Sequence, residues 1–113
     1  MLPRKYKLKR DNDFKKVFKQ GRYSQGSFIR IKFLKNGLKI SRFAFVVGLK
    51  ISKKAVQRNR VRRQLEEVVR LAFDQIKTGF DLVILVEPDI IKKDYQAIEQ
   101  EMISLLERAK LFN

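Results

Sequence analysis

The side chains best placed to do chemistry are Arg58, Arg60, Arg62 and Arg63, with Asn59 set between the first two. That chemistry is anion recognition. A guanidinium is planar, always charged, and offers a fork of donors that matches two phosphate oxygens at once. Lys53 and Lys54 precede this run, Arg70 follows it, and no acidic residue falls between Lys53 and Arg63. A merely solvated helix face usually mixes signs. Nucleic acid is therefore the expected ligand, held largely by salt-sensitive contacts to its backbone. Hydrolysis has little to work with. There is no Cys and no His, so thiolate ligands, cysteine nucleophiles, the usual general base and the commonest metal ligand are all missing. Asp11 and Asp13 could share a cation, but the positive end of a helix explains them more simply. No catalytic and no metal-binding residue is expected on this chain.

Such a basic row needs a rigid element to carry it. Val61, Leu65, Val68, Ala72 and Ile76 recur at helical spacing, with Val69 and Phe73 broadening the stripe, and this predicts a long helix from about Lys53 to Ile76. At about 100° per residue, Asn59, Arg63 and Arg70 point away from that stripe and Arg60 and Arg62 flank it. Arg58 lies nearer the core edge, its stem packed and its head reaching out. A shorter helix is expected from about Asp13 to Gln20, capped by Asn12 and stopped by Gly21. Phe14, Val17 and Phe18 make its apolar stripe. A Phe pair at this spacing is ordinary core material more often than a platform for bases, and spacing alone leaves both open.

The remaining elements are strands and one more helix. Residues 27–35 alternate, with Ile29, Ile31 and Phe33 on one side and Phe28, Arg30, Lys32 and Leu34 on the other. Asn36-Gly37 signals a turn. Residues 43–51, apolar on both faces, read as a central strand pairing antiparallel with the first. A third strand spans 80–86 and breaks at Glu87-Pro88. A last helix, from about Lys93 to Lys110, turns Ile98, Met102, Leu105 and Ala109 inward. The order helix, strand, strand, helix, strand, helix, without repeat or linker, predicts a single α+β domain over residues 1–113: an antiparallel or mixed sheet packed by helices.

Charge sharpens the picture. Twenty-seven Lys and Arg against twelve Asp and Glu give a net +15, and residues 1–70 alone carry +18 while 71–113 carry −3. A disordered basic tail would show the same imbalance, but here cations interleave with regularly spaced apolar residues. With 44% hydrophobic residues the chain can fill a core, so a folded molecule with one polarised side is expected. No secretory signal and no span long enough for a bilayer is recognised, so a cytoplasmic protein is expected.

Three segments then carry a resemblance. Ser52 to Arg63, SKKAVQRNRVRR, resembles the signature of the bacterial ribonuclease P protein family, with Arg58-Asn59-Arg60 at its centre. RFAFVVGLKISKK is similar to that family's strand leading into the helix, LKRDNDFKKVFKQG to its first helix, and DLVILV to the strand that follows. The similarity spans nearly the whole chain. It departs in two places: Lys54 joins Ala55 directly where the family has a few more residues, and Lys32 stands near a position where the family often has an aromatic.

The resemblance implies a fold like the second domain of a small-subunit ribosomal protein, with a left-handed strand–helix–strand crossover against the usual rule. It implies a partner of a catalytic RNA that, with magnesium, removes the 5′ leader of precursor transfer RNA. By carry-over, Lys53, Lys54, Arg58, Asn59, Arg60, Arg62, Arg63 and Arg70 face ribonuclease P RNA, while Phe14, Phe18, Phe28, Arg30 and Lys32 line a cleft for the leader. The chain itself holds no cofactor and needs no protein partner or membrane. The rival reading is a ribosomal or other structural RNA-binding protein on a related fold. A DNA-binding module is disfavoured because no short helix and tight turn precede the basic helix, and an autonomous metal-dependent nuclease because its side chains are lacking.

Overall fold

A computed structural model describes residues 2–113. The elements run α1 (Asp11–Gln20), β1 (Arg22–Gln25), β2 (Ile29–Lys35), β3 (Arg42–Val46), α2 (Ala55–Ala72), β4 (Phe80–Val86) and α3 (Tyr95–Arg108), with short 3-10 turns at Arg4–Tyr6, Phe73–Gln75 and Pro88–Lys92. The strands form one mixed sheet in the order β1-β2-β4-β3. β1 and β4 both lie antiparallel to β2, and β3 lies parallel to β4. β3, α2 and β4 thus make the expected strand–helix–strand crossover, and the α+β class is as expected.

Two strand expectations are corrected. The segment 43–51 is not central: β3 stops at Val46 and occupies an edge. Nor does it pair with β2, because β4 inserts between them. β4 is the strand buried on both faces, with Asp81, Leu82, Val83 and Ile84 all covered, and such a strand belongs in the middle of a sheet. β1 was not foreseen. Arg-Tyr-Ser-Gln has no apolar alternation, and it forms because a tight turn, closed by the Gly26 N–H on the Ile29 carbonyl at 2.8 Å, folds it back on β2.

The main core lies on one face of the sheet. Ile29, Ile31, Phe33, Phe43, Leu82 and Ile84 meet Val61, Leu65, Val68, Val69 and Ala72 of α2 and Ile98, Met102, Leu105 and Leu106 of α3. α2 begins at Ala55 and not Lys53, and the Lys54 N–H rests on Ser52 Oγ at 3.1 Å. Ile76 stays buried although the helix has ended. α3 starts at Tyr95, where the Asp94 carboxylate caps the Ala97 N–H at 2.9 Å.

The other face is covered only in part. Leu8, Val17, Ala44 and Val83, joined by Phe14, Leu34 and Leu85, form a small second cluster beneath α1. Val17 is the one fully buried residue of α1, which contributes roughly 1.5–3 kcal/mol. Arg42 reinforces this docking. Its guanidinium donates to both oxygens of buried Asp81 at 2.8 and 2.7 Å and reaches Asp13 of α1 at 3.4 Å. Asn36 Nδ2 adds a further bond to Asp81 at 2.9 Å, so the buried carboxylate is well satisfied. Asn12 does not cap α1. The helix begins two residues earlier than expected, at Asp11, with Arg10 in the cap position and no side-chain cap bond. Asp11 and Asp13 occupy its first turn, where their charge suits the helix dipole.

Candidate nucleic-acid interface

The arginines of α2 divide as helical geometry requires. Arg63 is exposed and, among the described residues, has no hydrogen-bond or ion-pair partner. Arg60 leans to one flank and donates to the Ile91 carbonyl at 2.9 Å. Arg62 leans to the other, donating to Asn59 Oδ1 at 2.8 Å and the Val47 carbonyl at 3.4 Å. Arg58 is half-buried and donates to the Ser52 carbonyl at 2.9 Å. These partners are neutral oxygens. They fix the direction of each guanidinium while leaving its charge uncompensated, as a phosphate site needs. Lys53 and Lys54 are exposed at the head of the helix. Arg70 differs: its Nε lies 3.1 Å from Glu67 Oε2, one helical turn away. The pair raises the Arg70 pKa and holds the Glu67 carboxyl below its ordinary value. The uncompensated row therefore ends at Arg63.

The second surface is the open part of the sheet beside α1. Cross-strand register sets Tyr23, Lys32, Val83 and Ala44 in one row and Gln25, Arg30, Leu85 and Val46 in the next. Lys32 Nζ sits 4.9 Å from the centre of the Phe18 ring, close enough for a cation–π contact. Phe18 remains 42% exposed and Tyr23 64%. Phe14 is half-buried in the small cluster under α1. Arg30 is half-buried, and its Nε has no partner.

Phe14, Phe18, Arg30 and Lys32 are thus brought to one side of the sheet, and Phe28 is not. Phe28 precedes β2 and is buried in the main core. The reason is local. The Glu101 carboxylate of α3 accepts the N–H groups of Ser27, Phe28 and Ile29 at 3.0, 2.8 and 2.7 Å, which draws the chain toward α3 and breaks the alternation before the strand begins. Tyr23 takes the aromatic place instead, directly opposite Lys32. Its role was hidden because β1 carries no pattern of its own.

The two surfaces meet. A groove of about 280 Å³ along β3 is lined by Phe14 from α1, by Ala44 and Val46, and by Arg62 and Glu66 from α2. A strand lying against α1 can pass over the β3 edge onto the arginine face without crossing the core. The element directly ahead of α2 is β3 and not a helix, which sets the molecule apart from a helix-turn-helix.

A family model described as Ribonuclease P matches residues 2–110. The chain belongs to this family. The Ribonuclease P protein component of Syntrophomonas wolfei is 33% identical over 112 residues, covering 99% of this chain and 93% of the relative. That of a Synechocystis strain is 36% identical over 113 residues, covering 99% and 91%. The solved RNase P protein from Thermotoga maritima superposes with a TM-score of 0.82 at 30% identity, covering 90% of this chain and 96% of that one. The Staphylococcus aureus protein shares the fold, with a TM-score of 0.88 at 22% identity. Membership of the ribonuclease P family covers α1, α2 and the sheet alike, and none of these relatives favours the ribosomal alternative.

Proposed function

We propose that this chain grips ribonuclease P RNA through the arginine face of α2 and holds the unpaired 5′ leader of precursor transfer RNA in the cleft beside α1, leaving bond cleavage to the RNA. The observation that carries this reading is the groove along β3, which joins Phe14 of the cleft to Arg62 of the helix. A leader base stacks on the exposed rings of Phe18 and Tyr23, while Lys32 and the guanidinium of Arg30 take its phosphates. Arg58, Arg60, Arg62 and Arg63 hold the larger RNA by its backbone, so affinity falls steeply with salt.

Magnesium, in this reading, belongs to the RNA. Among the described residues no three of His, Cys, Asp and Glu gather as a metal site, and Asp13 and Asp81 both face Arg42. Those two carboxylates are thus engaged by an arginine, which supports a binding role for this part of the chain. No described helix is long and apolar enough to cross a membrane. We place the complex in the cytoplasm, with RNA its one required partner.

The test is cleavage of a precursor transfer RNA at low magnesium by bacterial ribonuclease P RNA alone, by the protein alone, and by both. Stimulated cleavage at the mature 5′ end only in the mixture supports the reading. Cleavage by the protein and magnesium alone would overturn it, and tight RNA binding without stimulation would return the chain to the structural class.

A further inference from the structure

A cavity of about 620 Å³ lies at the end of the sheet where β1 begins, between the C-termini of α1 and α3, and touches the cleft side at Tyr23 and Leu34. Its walls follow from the register. Arg22 lies opposite Phe33, and Lys35 opposite Phe80. Ser24 Oγ reaches the Leu105 carbonyl of α3 at 3.3 Å, so Arg22 and Ser24 share the face turned toward α3, while Tyr23 alternates to the other side. Phe33 and Phe80 meet edge to face, 6.3 Å between ring centres. Arg108 and Lys110 lean in from the end of α3. The volume suits a small organic ligand.

The electrostatics are one-sided. Four cations line the cavity and no carboxylate does. Arg22, Lys35 and Lys110 have no hydrogen-bond or ion-pair partner for their side chains among the described residues, whereas Arg108 donates to the Gln25 carbonyl at 3.2 Å. Two helices end nearby, and bare C-terminal carbonyls would repel an anion. Some of those carbonyls are engaged, Val17 by the Gly21 N–H and Glu107 and Leu106 by the N–H groups of Lys110 and Leu111, and the four cations oppose the field of the rest. Lys110 itself adopts φ 59°, the left-handed region, where glycine sits without strain and a lysine does not. The position thus carries a cation at the cavity rim at the expense of backbone comfort.

Cations able to hold a phosphate, beside an aromatic pair, fit a ligand that joins a phosphate to a flat ring. We propose that this cavity is a second binding site for one nucleotide of single-stranded RNA, its phosphate on Arg22, Lys35 and Lys110 and its base against Phe80. The site adjoins the leader cleft at Tyr23, but its phosphate and base contacts do not depend on that assignment.

An NMR titration of the folded protein with adenosine 5′-monophosphate tests it, with inorganic phosphate in parallel. The nucleotide should shift the backbone amides of Arg22, Lys35, Phe80 and Lys110 saturably, and bind about tenfold more tightly than phosphate. Lys110→Gly should weaken binding about fivefold. Because glycine suits φ 59°, this variant should also melt no lower than the parent, so lost binding cannot be lost folding. Shifts confined to Phe14, Phe18 and Lys32 would overturn the proposal. So would equal affinity for phosphate and nucleotide, or a Lys110→Gly variant that binds as the parent does.

Discussion

Asp81 and Arg42 show how much one ion pair is asked to do. The carboxylate is buried in the sheet, and the guanidinium that satisfies it also touches Asp13, next to Phe14 on α1. Asp81→Ala leaves Arg42 only Asp13 at 3.4 Å and Asn36 Nδ2 only the Ile40 carbonyl, so a loss of about 3 kcal/mol in urea unfolding is expected. Replacing both partners with apolar residues of similar size should cost less than that single change. Glu67 faces Arg70 at the surface, with Glu67 Oε2 3.1 Å from Arg70 Nε. The Arg70 guanidinium holds its carboxyl below the ordinary range, so whatever the exposed pair adds to stability is present above the ordinary carboxylate value and is lost as the pH falls through the lowered one. At neutral pH Arg70 stays paired. Glu67→Gln should free it, tighten binding to ribonuclease P RNA, and steepen the slope of log affinity against log salt by about 0.7–0.9, one phosphate contact. An unchanged slope would show that Arg70 faces away from the RNA.

The helices were legible because their signals are local. The stripe from Val61 to Ala72 names the buried face of α2 and, by subtraction, its basic one. The sheet was not, because strand order is decided by partners far away in sequence. Residues 29–35 and 42–46 look like neighbours, but the wholly apolar Leu82-Val83-Ile84 outcompetes for the place between them. Phe28 was misplaced for the same reason: a carboxylate more than seventy residues away decides where it points, while Tyr23 went unread because β1 has no apolar alternation. Glu101→Ala removes the acceptor of three backbone N–H groups and should lower stability by roughly 2–3 kcal/mol in thermal or urea unfolding. Gly21 marks the joint between α1 and β1. A Cβ there would stand 2.3 Å from the Val17 carbonyl oxygen and 2.9 Å from that of Phe33, so Gly21→Ala must move the helix. On the order of 2 kcal/mol should be lost. Preference for a precursor with its leader over one without should fall as well, while binding through α2 persists.

For the molecule as a whole, a net +15 on 113 residues sets folding and function against each other in salt. Self-repulsion weakens the free protein at low ionic strength, and the same charge drives RNA binding. Thermal unfolding without RNA should therefore shift upward as salt rises from about 20 to about 200 mM, over which affinity for RNA falls by orders of magnitude. The double change Arg60→Ala and Arg63→Ala, at two exposed positions, should weaken assembly with ribonuclease P RNA and leave the melting temperature nearly unchanged. Full affinity in the folded variant would remove the α2 face from the interface.

The place of β4 also governs how the chain is born. β1, β2, β3 and the whole arginine helix leave the ribosome before β4 does, yet β3 has no strand to pair with until β4 arrives and lies between it and β2. The nascent polypeptide is thus a strongly cationic, half-assembled thread, surrounded by ribosomal and transfer RNA, at the stage when its native contacts are most incomplete. Phe80–Val86 completes the sheet and α3, made after it, completes the core, so the shaped surface that can select an RNA forms only at the end of synthesis.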